Sequence, residues 1–212
     1  IALVSHSSAG KTMLAEAFLH FTGATTRLGK IEDGSSVSDF EEEEIRRGIS
    51  LSTGVVPIDF NDHKLNILDT PGYTDFVGEM VSALRVSDGA VVLVDSVAGA
   101  EVGTEIAWNY CDQFNIPRFV LINKMDRDNA DFQKALASVQ RLSEVRLLPV
   151  QLPWGEKQDF QGVIDLLSMK AYAGTGTTAA EIPSDLLEDA EAAQNELIEA
   201  AAEGEDELLM KY

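Results

Sequence analysis

From its first residue to about position 142, the chain alternates β-branched apolar runs with helix-spaced segments, and the runs end in short polar or glycine-bearing motifs. Ile1–Val4, Ala90–Asp95 and Phe119–Asn123 read as buried strands of parallel type. Val55–Phe60 and Lys64–Leu68 read as two strands joined by a hairpin at Asn61-Asp62-His63. Between Lys11 and Thr22 the apolar positions Met13, Leu14, Ala17, Phe18 and Phe21 have helical spacing, and Gly23 stops them. Glu79–Val86, Gly103–Phe114 and Asp131–Leu142 also read as helices. This alternation predicts an α/β fold with an open, mostly parallel central sheet that binds its ligand at the carboxyl ends of the strands. Ala24–Ser50 shows no sustained period, and a polar loop of that length in a compact domain is functional or disordered. Composition shifts near Pro149–Pro153, and the remainder reads as a small α+β piece ending in an Ala/Glu-rich helix. The expected domains are 1–148 and 149–212.

Charge narrows the possible partners. Sixteen basic and 36 acidic residues give a net charge of -20, which argues against broad binding of nucleic-acid phosphates. Glu181–Tyr212 holds eleven acids against one Lys, so a docking surface for a basic partner stands beside the plainer reading of a solvated helical face. No apolar run approaches the roughly 20 residues that span a bilayer, which leaves no transmembrane segment. The first residues lack the basic n-region of a signal peptide. One cysteine, Cys111, fits a reducing cytosol and a packing role on its helix with Trp108. His20 and His63 read as surface residues.

Four motifs carry chemistry. Ser5-His6-Ser7-Ser8-Ala9-Gly10-Lys11-Thr12 lies between a strand and a helix and matches the phosphate-loop pattern G-x-x-x-x-G-K-[ST], except that Ser5 replaces its first glycine. Backbone N–H groups and the helix N-terminus would cradle phosphates, Lys11 would reach the β- and γ-phosphates, and Thr12 would ligate Mg²⁺. A plain strand-to-helix turn is the alternative. Asp69-Thr70-Pro71-Gly72 ends a strand, so Asp69 could hold Mg²⁺ through water and the Gly72 N–H could meet a γ-phosphate. A simple Pro-Gly turn is the other reading. Asn123-Lys124-Met125-Asp126 ends another strand. The Asp126 carboxylate could accept both guanine N1–H and its 2-amino group, donors that adenine lacks, and the Lys124 stem could cover the ring. Finally, Arg46-Arg47-Gly48-Ile49-Ser50 closes the long loop. Ser50 is a candidate second hydroxyl for Mg²⁺, and the two arginines are either functional or solvated charges balancing Glu41–Glu44.

In this order the motifs resemble the elongation factor G-like translational GTPases. Asn123 to Phe132 is similar to that family's N-K-M-D-R-x-G-A-D-F stretch, and Thr70 to Phe76 and Arg47 to Ser50 also match. Val150–Pro153 and Phe160–Leu166 resemble the start of its inserted G′ subdomain. Elongation factor Tu is less similar, having His-Gly-Lys-Thr where this chain has Ala9-Gly10-Lys11-Thr12. The resemblance implies a P-loop NTPase G domain with part of a G′ insertion, GTP/GDP and Mg²⁺ as ligands, and hydrolysis of GTP on the ribosome. It further implies contact of the acidic segment with the ribosomal stalk protein, a monomer in the cytoplasm, and no sequence-specific nucleic acid. His6, Ser7, Ser8, Ala9, Gly10, Lys11 and Thr12 become the phosphate-binding set, with Asn123, Lys124 and Asp126 for guanine. Thr12, Ser50 and Asp69 become the metal set, and Lys11, Gly72 and Tyr73 the catalytic set. His6 matches the family's loop histidine, but local packing or hydrogen bonding is the plainer and favoured role for it.

Several positions depart from the family pattern. Tyr73 stands where the family has the His that positions the attacking water, and a phenol with a pKa near 10 offers no imidazolium. Ser8 stands for Asp, Ser50 for Thr, and Ser5 puts a side chain where glycine relieves strain. Together these resemble the elongation factor G-like paralogues more than the housekeeping translocase. They imply slower or differently triggered hydrolysis, and the second reading is a GTP-dependent binding switch. The chain starts without Met and shows no Ser-Ala guanine segment after Asp126, so the expectation is an N-terminal piece of a longer protein.

Overall fold

The computed structural model describes residues 1–203. By packing, the chain divides into Ile1–Asn123 and a second unit from Lys124 onward. This division follows contacts, whereas the boundary at 149 follows composition.

The first unit is a mixed α/β domain. Its elements are β1 (Ala2–Val4), α1 (Lys11–Phe21), α2 (Glu42–Arg47), β2 (Gly54–Phe60), β3 (His63–Asp69), α3 (Val77–Arg85), β4 (Ala90–Asp95), α4 (Val102–Phe114) and β5 (Arg118–Asn123). The sheet order is β2-β3-β1-β4-β5. β1 runs parallel to both β3 and β4, and β4 parallel to β5, so only the β2–β3 pair is antiparallel. Parallel neighbours buried on both faces need continuous apolar runs, and Ala2–Val4 and Val92–Val94 are almost fully enclosed. β2 is an edge strand that alternates between buried and exposed residues and tolerates Pro57 there. Leu3, Leu93, Ile67, Val56 and Ile58 meet Ala15 and Leu19 of α1 in the core. Each such large aliphatic side chain contributes about 1.5–3 kcal/mol by leaving water. This packing holds α1 against the sheet and so fixes where its N-terminus points.

Three local details differ from the sequence reading. The segment 24–50 contains a helix, α2. At six residues it is too short to display a period, and the Glu41 N–H donates to Glu44 Oε2 at 3.1 Å while Gly48, at φ 64, ends it. The hairpin turns on Asn61 and Asp62 alone, both at positive φ, and His63 pairs with Phe60 inside the strands. A single 3₁₀ turn, Thr74–Phe76, precedes α3, which therefore starts at Val77 rather than Glu79.

The second unit carries α5 (Phe132–Gln140) and an antiparallel sheet of β6 (Gln151–Trp154), β7 (Gly162–Asp165), β8 (Lys170–Ala173) and β9 (Ala179–Ala180), followed by α6 (Leu187–Glu203). Ile164, Leu166, Ala171 and Ala190 form its core, with Trp154, Leu186 and Leu197 packed against them. Glu188, Asp189, Glu191, Glu196, Glu199 and Glu203 of α6 are exposed. Of the acidic segment, residues 204–212 lie outside the described residues.

Candidate functional site

The loop from Ser5 to Gly10 connects the end of β1 to the start of α1, so the first N–H groups of that helix face the loop. Ser8 (φ 61) and Gly10 (φ 107) take the left-handed conformations that curl the loop back over the helix end. Ser5 does not share this geometry, so its side chain causes no backbone strain of the kind expected at the missing glycine. Asn123, the last residue of β5, closes the loop, its Nδ2 donating to Ala9 O at 3.0 Å. A Cβ on Gly10 would meet that same amide nitrogen at 2.5 Å, so this close approach also requires glycine.

Lys11 is buried at the head of α1. Its Nζ donates to Ser5 Oγ at 2.8 Å and to His6 O at 3.2 Å, and Ser5 Oγ itself donates to His6 O at 2.6 Å. Burial lowers the Lys11 pKa to about 8, with the Asp69 carboxylate opposing the shift. Gly72 lies against this ammonium. A Cβ there would stand 2.6 Å from Lys11 Nζ and 2.7 Å from Ser7 Cα. Thr70 secures the strand end that delivers Gly72, donating to Leu3 O at 2.7 Å.

Asp69, Thr12 and Ser50 come together beside the loop. Thr12 Oγ1 is 3.2 Å from Ser50 Oγ, across 38 residues of sequence. Asp69 Oδ2 accepts the Ser38 hydroxyl at 2.8 Å, and its Oδ1 is buried with no hydrogen-bond partner among the described residues. Burial raises the Asp69 pKa, opposed by the Thr12 and Ser38 hydroxyls and by Lys11. An orphaned carboxylate oxygen beside two hydroxyls is a hard-oxygen donor set that suits Mg²⁺, which completes its octahedron with water and phosphate rather than with a full protein cage.

Asp39 belongs to the same cluster, and the sequence motifs do not include it. Its Oδ1 accepts the Ser50 hydroxyl at 2.6 Å. Burial raises its pKa, Ser50 opposes the shift, and the Glu44 and Glu16 charges add to it. Ser50, giving its proton to Asp39, can accept the Thr12 hydroxyl and still keep one lone pair for a cation. Nothing in the sequence separates Asp39 from the many other acids of that loop.

The remaining sequence candidates are placed as follows. The His6 ring turns to α4, its Nδ1 accepting the Gly103 N–H at 3.2 Å and its Nε2 lying 3.6 Å from Glu101. Tyr73 is 42% exposed and borders a small cavity with Ser5, Gly72 and Gly103. Arg46 and Arg47 both pair with Glu43 on the exposed face of α2, as charges balancing local acids. His20 and His63 are exposed, and Cys111 is enclosed. Asn123 ends the first unit. Lys124, at φ 64, and the exposed Asp126 begin the second, around the buried Met125.

The family described as Elongation factor Tu GTP binding domain matches residues 1–206. The chain is similar to elongation factor G of Wolbachia pipientis subsp. Culex pipiens (strain wPip), with 41% identity over 218 aligned residues, covering 100% of this chain and 32% of that protein. It is also similar to the crystal structure of ttk003000868 from Thermus thermophilus, with a TM-score of 0.92 and 37% identity, covering 100% of this chain and 32% of that one. The chain thus spans about a third of the length of the relatives it matches.

Proposed function

The chain belongs to the Elongation factor Tu GTP binding domain family, and from that premise we propose that it binds and hydrolyses GTP as the N-terminal part of an elongation factor G-like protein acting on the ribosome. The observation that carries this reading is the cluster of Thr12, Ser50 and Asp69, with its orphaned oxygen, beside the buried Lys11. Residues 1–148 form the G domain and 149–212 part of the inserted G′ subdomain. The protein works as a cytoplasmic monomer without a membrane or a sequence-specific nucleic acid, and the exposed acids of α6 offer a docking face for the ribosomal stalk protein.

In this mechanism the backbone from His6 to Thr12 cradles the α- and β-phosphates, and Lys11 turns from Ser5 to the β–γ bridge, where its charge stabilises the transition state. Thr12, Ser50 and Asp69 would hold Mg²⁺, which neutralises phosphate charge when bound. Gly72 admits a γ-phosphate to its N–H because no side chain stands there. Asn123 braces the loop, while Lys124 and Asp126 recognise guanine. Ser50 and Gly72 sense the γ-phosphate, and release of their loops follows hydrolysis.

Tyr73 supports a second reading, a GTP-gated binding switch with very slow hydrolysis. Together with Ser5, Ser8 and Ser50 it also supports a kinship with the elongation factor G-like paralogues over the housekeeping translocase. GTP turnover by the full-length protein, measured with and without ribosomes and with Tyr73→His alongside, separates the two readings. Strong ribosomal stimulation of the unmodified protein establishes the GTPase. Tight GTP binding without stimulation, restored by His at position 73, establishes the switch. Failure to bind GTP overturns both.

A further inference from the structure

Glu16 is fully enclosed on α1, and the nucleotide chemistry above does not use it. Among the described residues its hydrogen-bond donors all come from the long loop. Oε2 accepts the Gly29 N–H at 3.2 Å. Oε1 accepts the Val37 N–H at 2.5 Å and the Ser36 hydroxyl at 3.2 Å. An enclosed carboxylate is costly without donors and strongly held with them. Gly29 makes the approach possible, since a Cβ there would overlap Glu16 Oε2 and stand 2.7 Å from Ser35 O. No positive φ requires glycine at this position.

Directly after Val37 the chain enters the metal corner. Ser38 donates to Asp69, and Asp39 accepts Ser50. Glu16 is four residues from Thr12 on α1, so the two side chains share one helix face. On that face Thr12 meets Ser50 at the end of the loop, and Glu16 meets Gly29, Ser36 and Val37 nearer its start.

We propose that Glu16 is a positioning residue that latches the loop shut on α1, and that the latch sets the preference for a nucleoside triphosphate over a diphosphate. The proposal rests on the GTP-binding reading. A diphosphate needs the phosphate loop, which Glu16 does not touch. A triphosphate with Mg²⁺ also needs Ser50, which only the closed loop delivers. When a ligand requires the closed state, its affinity scales with the fraction of molecules that are closed. Opening the loop strips Glu16 of three donors, so the latch holds that fraction high.

The test uses Glu16→Gln and Gly29→Ala in the full-length protein. The first breaks the latch from the helix and the second from the loop. Equilibrium binding is measured with fluorescent GDP and with a non-hydrolysable GTP analogue plus Mg²⁺, and mass spectrometry follows tryptic cleavage after Lys30. In both variants GDP affinity should stay within about twofold while analogue affinity falls roughly tenfold or more. The analogue should protect Lys30 in the parent and not in the variants. Equal loss of GDP and analogue would show a merely structural role and overturn the latch, as would unchanged analogue binding. If Glu16→Gln does not fold, Gly29→Ala decides alone. A parent protein that binds neither nucleotide overturns the GTP reading and the latch with it, a result distinct from a parent that binds both while its variants are unchanged.

Discussion

Lys11 Nζ donates a 2.8 Å hydrogen bond to Ser5 Oγ inside a loop where almost no solvent reaches the ammonium. The charge is held by one hydroxyl, one carbonyl and the field of Asp69, and its desolvation is only partly offset. A buried charge kept at such a cost is available to a phosphate group that can replace these weak partners.

Lys11→Met should therefore separate function from stability. Nucleotide affinity should fall by at least about a hundredfold, because the charge facing the β- and γ-phosphates is gone. Folding stability should be unchanged or higher, because an apolar stem of similar length removes an incompletely compensated charge. Titration with fluorescent GDP and thermal melting of the nucleotide-free protein check the two halves.

The same lysine fixes a pH dependence. Its pKa is about 8 in the folded state against an ordinary 10.5. Between these values the unfolded chain holds a proton that the folded chain has released, so stability rises with pH across that window, by up to about 3 kcal/mol from this group. Below about pH 8 the contribution is flat. Phosphate binding favours the ammonium, so GTP affinity should fall as pH climbs above about 8. Denaturant melts at both ends of the window, with Lys11→Met as the control lacking the difference, measure the first effect. Calorimetric proton uptake on binding measures the second.

Asp69→Asn tests the metal corner. Burial raises the Asp69 pKa, so folding disfavours the charged form and the neutral isostere should raise Tm. The Mg²⁺ enhancement of GTP binding should be largely lost, since the charged oxygen pair that serves a cation is gone. Melting curves and GTP affinity with and without Mg²⁺ report these outcomes. A lower Tm with Mg²⁺ enhancement retained would contradict the role.

Gly72→Ala should weaken GTP more than GDP, by roughly tenfold or more. Its Cβ would stand 2.6 Å from Lys11 Nζ and close to Ser7, in the space the γ-phosphate would enter. The ratio of GTP to GDP dissociation constants is the measurement. An unchanged ratio would place the γ-phosphate elsewhere.

The alternating fold was legible because its signals are local. Val92–Val94 and Ile1–Val4 are apolar through and through, and Met13, Leu14, Ala17 and Phe18 repeat at helical spacing. The motif glycines and Lys11-Thr12 could be read in the same way, since a phosphate loop is a short contiguous stretch whose backbone conformation its own residues dictate. The loop from Ala24 to Ser50 resisted such reading. Helix α2 is shorter than two turns, and its stability comes from Glu44, whose carboxylate also accepts the Leu51 and Ser52 N–H groups.

What the sequence determined by itself is therefore the alternation of strands and helices, the loop from Ser5 to Gly10 between β1 and α1, and the identity of the groups at each strand end. Tertiary structure decided which acids of the first unit are buried. Asp39, Glu16 and Glu44 look like Glu41 and Glu42 in the sequence, yet the first three are buried against hydroxyl or amide donors and the other two are not. The reason is physical. Period and propensity act between neighbours a few residues apart, whereas the cost of burying a charge, and the donors that offset it, depend on segments farther along the chain that meet only when it is packed.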